Sequence, residues 1–252
     1  MSLSTEIGSA RDVAQKEKVT LESETWYGKY FVRYFSIYIS LALVRLGISA
    51  NTVTILMGVA GLCGSFCMVP HNPWWNLAGV IFWQLWFILD CVDGEVARIS
   101  KISSAFGIYL DELSHIVANS TFVLAFGLHI YFLQPSVSNM IATIVIYSAW
   151  HWQREIVRLR GSTMVVKCDL PKISDVHKPV KVTLVSIVRR GLLSFIRDFD
   201  VTLILTVVIF STYIFGIDFA KWFLYIHIFL VLGYIGALIL RDRGRLKTIA
   251  VH

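Results

Sequence analysis

Long apolar runs alternate along this chain with short polar stretches, most of them basic, and the run lengths set its class. Six runs approach the roughly 20 residues that a bilayer core demands: about 51–69, 75–99, 104–133, 138–157, 199–215 and 219–240. The first contains Gly58, Gly61 and Gly64, small residues at a spacing that lets helices approach closely. The turn His71-Asn72-Pro73-Trp74-Trp75 is aromatic and, with a neutral imidazole, uncharged, as suits a membrane–water boundary. Ahead of these runs, residues 26–47 are apolar and aromatic yet carry Lys29, Arg33 and Arg45, with Lys29 and Arg33 on one helical face, which predicts a helix lying in the interface. The expected fold is all-α: a polytopic membrane protein with six transmembrane helices preceded by an interfacial amphipathic helix. Residues 1–24 read as a flexible or weakly helical cytosolic lead, 25–241 as one membrane domain and 242–252 as a basic cytosolic tail.

Composition agrees. Of 252 residues 56% are hydrophobic and only 16% charged, too little polar surface for a soluble domain of this length. The net charge of +6 follows from the clustering of Lys and Arg in loops on one side; the turns of the other side carry almost none, Lys221 excepted. An even number of spans places both termini on one side, and the charge asymmetry assigns it to the cytosol, leaving no need for a nucleic-acid partner. Cys63, Cys67, Cys91 and Cys168 lack metal-site spacing and read as packing thiols. The N-terminal 24 residues have no apolar centre, so no signal peptide is expected, and no transporter-like internal repeat is visible.

The chemistry lies between Asp90 and His115. Asp90, Asp93, Gly94, Ala97 and Arg98 fall at i, i+3, i+4, i+7 and i+8 on one helix face; Gly107, Asp111 and His115 fall at i, i+4 and i+8 on another. Folding the chain about the polar turn 100–103 brings Gly94 level with Gly107 and Asp90 level with Asp111. Acids at the end of an apolar span are costly to bury, so they are paired or functional. A pure ion-pair network would leave three acids sharing one nearby Arg98. Converging carboxylates instead suit a hard divalent cation, Mg²⁺ or Mn²⁺, with metal-bridged phosphates beside them and a flat ring in the glycine slot. A channel would need acids through the whole membrane depth, and these cluster at one end.

Asp90-x-x-Asp93-Gly94-x-x-Ala97-Arg98-x(8)-Gly107-x(3)-Asp111-x(3)-His115 resembles the signature of the CDP-alcohol phosphotransferases, matching seven of its eight fixed positions with the spacing intact. Asn51 and Thr54 resemble that family's Pro-Asn-x-x-Thr start to the first span, with Ala50 in place of the proline. The resemblance implies metal-dependent transfer of a substituted phosphate group from a CDP-alcohol to an acceptor alcohol, with release of CMP, in phospholipid or related lipid biosynthesis. It implies Asp90, Asp93, Asp111 and His115 as metal ligands. Asn51, Thr54, Asp90, Gly94, Ala97, Arg98, Gly107 and Asp111 would hold the CDP moiety. Of donor and acceptor at least one is expected to be a lipid, and the protein to be a homodimer.

His115 stands where the family has a fourth Asp. A neutral imidazole can take a proton near neutral pH or ligate a metal, so His115 is the candidate catalytic base as well as a ligand. The competing reading is a catalytically impaired CDP-alcohol or nucleotide-lipid binding protein, or a transporter, that keeps the site without turnover. Arg154, Arg189, Arg190 and Arg197 are candidates for holding a phosphate on the acceptor, against the alternative that they anchor loops on the cytosolic side. Glu95 lies inside the motif but on another face, where it is expected to meet water or a nearby Lys or Arg.

Overall fold

The structure, a computed structural model, describes residues 3–15, 28–167, 209–214 and 219–249. Among these there is helix and turn and no strand. The elements are α1 (Leu3–Gln15), a π-helical turn (Gly28–Val32) leading into α2 (Arg33–Arg45), α3 (Ala50–Met68), α4 (Pro73–Ser100), α5 (Ala105–Leu133), α6 (Val137–Lys167) and α7 (Phe219–Ile249). Helices α3, α4, α5 and the Phe219–Arg241 portion of α7 are long and apolar enough to cross a membrane. The fourth expected span falls inside α6, and the fifth, 199–215, lies mostly outside the described residues.

Local chemistry sets the helix ends that matter for the site. Ser49 Oγ accepts from the Thr52 N–H at 3.2 Å and starts α3. Asn72 Oδ1 accepts from the N–H groups of Trp74 and Trp75, while Pro73 fills the first helical position, where no N–H is needed. At the far end of α4, Lys101 takes the left-handed conformation (φ 55°) and the N–H of Ile102 returns to the Ala97 carbonyl at 3.1 Å. Ser104 Oγ then accepts from the Gly107 N–H at 2.9 Å and starts α5. Four residues thus reverse the chain and leave α4 and α5 antiparallel, with the motif residues of both near the turn.

Helix α3 packs against both α4 and α5. Its glycines make that possible. A Cβ on Gly64 would lie 2.6 Å from Cδ1 of Trp83 and 3.2 Å from the Gly79 carbonyl oxygen on α4. One on Gly61 would fall between Ala118 Cβ (2.8 Å) on α5 and Trp86 Cδ1 (2.9 Å) on α4. The core filling this junction includes Trp83, Trp86, Met57, Val92, Ala118 and Phe122, with Trp83 edge-on to Phe122 at a centroid distance of 4.5 Å. On the opposite face of α3, Ile55, Leu56, Val59, Leu62 and Phe66 point outward, an apolar surface that suits lipid. At the other end of α3, the buried Asn76 amide donates to the carbonyls of Cys67, Met68 and Pro70, and Tyr213 donates to its Oδ1 at 2.6 Å.

Residues 3–15 form a docked helix: Ala10 and Ala14 pack with Ile37 and Leu41 of α2 and with Ile99 of α4. The inner face of α2 carries Ser36, Ile37, Ser40 and Leu41; Tyr34, Phe35, Tyr38 and Ile39 are exposed.

If the Gly64 contact sets the α3–α4 distance, Gly64→Val is expected to destabilise the protein by about 1–3 kcal/mol, read as a lowered Tm in detergent. Gly236→Ala, at a site with nothing within 4 Å, is expected to leave Tm unchanged or slightly raised.

Candidate active site

The turn between α4 and α5 delivers the motif to one place. Asp90 on α4 and Asp111 on α5 meet at the imidazole of His115: its Nε2 lies 3.0 Å from Asp90 Oδ1 and 3.3 Å from Asp111 Oδ1. His115 is one helical turn beyond Asp111 on the same face, so the sequence spacing alone sets that second contact. Trp86, one turn before Asp90 on α4, stands edge-on to the His115 ring at a centroid distance of 5.4 Å and fixes its plane. One ligand atom from each of Asp90, Asp111 and His115 lies within 4.8 Å of the others, a spacing one cation can bridge. Two hard carboxylate oxygens and one imidazole nitrogen form a donor set that a divalent first-row cation accepts.

Asp93 has a different role in the geometry. It is 8% exposed, its Oδ2 accepts from Thr54 Oγ1 at 2.8 Å and its Oδ1 from the Gly94 N–H. Thr54 thus ties α3 to the motif half on α4. Asn51, one turn earlier, reaches the half on α5: its Oδ1 lies 2.7 Å from where a Gly107 Cβ would be. The space beside Gly94 is taken by the Arg98 guanidinium, with Nη1 3.0 Å and Nη2 3.3 Å from the corresponding Cβ position. Both glycines therefore give room to a polar side chain, where the sequence predicted an open slot between them.

These residues line a cavity of about 1040 Å³. Asp90, Asp93, Gly94, Arg98, Asp111 and His115 form one wall, and Trp150, Gln153, Arg154 and Arg158 of α6 form another. Arg154 thus faces the same cavity as the acids. Asn51, Thr54, Ala97 and Gly107 are not among the residues that line it. Arg189, Arg190 and Arg197 lie outside the described residues.

Of the two expectations for Glu95, the basic partner holds and the water-facing surface does not: the residue is fully buried, with Arg33 Nη1 at 3.6 Å, and it also accepts from Gln15 Nε2 (2.8 Å), Ser36 Oγ (2.8 Å) and Ser40 Oγ (2.7 Å). The signal was present, because Arg33, Ser36 and Ser40 share one face of α2. Asn119 continues the series 107, 111, 115 by one more turn; it is 3% exposed and its Oδ1 has no hydrogen-bond partner. Gln153, 5% exposed, leaves its Oε1 similarly unsatisfied in the facing wall.

No curated protein matches the chain closely enough to serve as a named relative. A family profile described as CDP-alcohol phosphatidyltransferase matches residues 47–250, most of the sequence and all of the acidic cluster. With that match spanning the bundle that builds the site, the chain belongs to the CDP-alcohol phosphatidyltransferase family.

Proposed function

We propose that the protein is an active, metal-dependent transferase that moves a substituted phosphate group from a CDP-alcohol to an acceptor alcohol and releases CMP. The observation that carries this reading is the convergence of Asp90, Asp111 and His115 at one cavity wall. Mg²⁺ or Mn²⁺ held by the Asp90 and Asp111 carboxylates, with Asp93 adjoining, would neutralise the diphosphate and stabilise charge as it builds on transfer. Arg98 lines the same wall and offers a planar guanidinium to a phosphate oxygen. Asn51 and Thr54 keep α4 and α5 in register through Gly107 and Asp93. Arg154, which lines the same cavity, would hold the acceptor, a role shared in this reading with Arg189, Arg190 and Arg197.

His115 takes the proton of the attacking hydroxyl. A cation neutralising the Asp90 and Asp111 carboxylates, which otherwise hold a proton on Nε2, would free that nitrogen to accept it. The histidine thereby serves where the family has Asp, and the impaired binding-protein reading loses its motive.

The site stands at the cytosolic end of a six-span bundle, with both termini on that side and α2 in the interface. The basic loops and the exposed aromatic face of α2 support this arrangement. A lipid donor or acceptor reaches the cavity from the bilayer, and two copies form the working homodimer.

In lipid nanodiscs with a panel of CDP-alcohols and acceptors, CMP release should require Mg²⁺ or Mn²⁺ and stop on chelation. Asp111→Asn should lower it by roughly a hundredfold or more. CMP formed without a divalent cation, or at an unchanged rate by Asp111→Asn, contradicts the reading.

His115→Ala should lower kcat by about 10²–10⁴-fold while the metal concentration for half-maximal rate moves little; His115→Asp should retain turnover. A large rise in the metal requirement with kcat preserved at saturation would instead make His115 a ligand and not the base.

A further inference from the structure

Glu95 and Arg98 sit one turn apart on α4, and both are held by the N-terminal helix α1, ahead of the residues that the family profile matches. The last carbonyls of a helix lack intrahelical partners. In α1 the Ala14 carbonyl finds one in Arg98, whose Nε donates to it at 2.7 Å. That bond uses one of the five guanidinium N–H groups and fixes the rotation of the plane, leaving the Nη1 and Nη2 edge over Gly94 at the cavity wall. A guanidinium presented by its fork is the form that grips phosphate through two parallel bonds.

What holds α1 in place is Glu95. Gln15 Nε2 donates both to Glu95 Oε1 (2.8 Å) and to the Arg33 carbonyl (2.9 Å), so a single amide bridges α1, α2 and α4. Ser36 and Ser40 complete the carboxylate from α2. Gln15, Ser36, Ser40 and Glu95 are all under 8% exposed, so the bonds form without competition from water. The apolar support is small: Ile7, Ala10 and Ala14 against Ile37, Leu41 and Ile99, with Arg11 over the Tyr34 ring. The Gln15–Glu95 bond therefore fixes the C-terminal end of α1, and that end sets the orientation of Arg98.

We propose that Gln15 and Glu95 are positioning residues for the nucleotide site: through the docked α1 they orient the Arg98 guanidinium toward the diphosphate of the CDP-alcohol. The inference rests on the transferase reading above, and it extends the functional unit to the first 15 residues of the chain.

The test is CDP binding with Mg²⁺ present, measured by calorimetry on the full chain in nanodiscs for wild type, Gln15→Leu, Arg98→Ala and the double variant. Gln15→Leu should weaken CDP by about 3–10-fold, the value of one lost hydrogen bond. In the Arg98→Ala background the same change should have no further effect, because the group it positions is gone. Gln15→Glu, which sets a second carboxylate against Glu95, should weaken CDP at least as much as Gln15→Leu. A loss of equal size in both backgrounds would show general loosening and overturn the proposal, as would unchanged affinity in Gln15→Leu and Gln15→Glu. Wild type that binds no CDP would remove the transferase reading and this inference together, a result distinct from either of the others.

Discussion

Every acid placed at depth in this bundle must be met by donors, and that requirement organises the structure around α4. In a stretch of six residues the helix carries Asp90, Asp93 and Glu95, and each is satisfied from a different direction. Asp90 shares the His115 imidazole with Asp111, which fixes α5. Asp93 takes the Thr54 hydroxyl, which fixes α3. Glu95 takes Gln15, Ser36 and Ser40, which fix α1 and α2. Leaving the buried Asp93 or Glu95 unpartnered would cost several kcal/mol, so their contacts, with the His115 bridge from the partly exposed Asp90, orient the surrounding helices about α4. The acids differ in what remains available. Glu95 is enclosed by protein groups, whereas Asp90, Asp93 and Asp111 line the cavity. That difference separates the acid that only holds the scaffold from those placed to meet a ligand.

Packing supplies the second half. The helices that carry the facing carboxylates, α4 and α5, both pack on α3, which presents Gly61 and Gly64 to the indoles of Trp86 and Trp83. The large rings fill the space the glycines leave, and Trp86 then continues to the His115 ring. A sequence of contacts runs from a small-residue face on α3, through a buried tryptophan, to the plane of the proposed base. Lipid-facing residues on the outer side of α3 take no part in it.

Much of this was legible in the sequence. The period of Asp90, Asp93 and Arg98 and of Gly107, Asp111 and His115, joined by a short polar turn, predicted two antiparallel helices with facing acids, and Lys101 and Ser104 close that turn. Helix ends fell within about two residues of the expected positions for α3, α4 and α5. The glycine slot was not foreseen correctly: spacing put Gly94 and Gly107 at one level, but it could not show that Arg98 and Asn51 would occupy the space beside them. Such filling depends on rotamers and on a third helix. For Glu95 a basic partner was among the expectations and Arg33 meets it, but its burial and its other partners were not foreseen. Its partners come from residues 15, 36 and 40, as many as 80 positions away, and helical periodicity within α4 holds no information about them.

The central claim is that Asp90 and Asp111, beside His115, hold a divalent cation that engages the diphosphate of CDP. Mn²⁺ electron paramagnetic resonance on the protein in nanodiscs, titrated with and without CDP, addresses it directly, because binding of metal and nucleotide at one site must be reciprocally coupled. The account predicts saturable Mn²⁺ binding that CDP tightens and Asp111→Asn abolishes. Mn²⁺ binding that is indifferent to both CDP and Asp111 would contradict it.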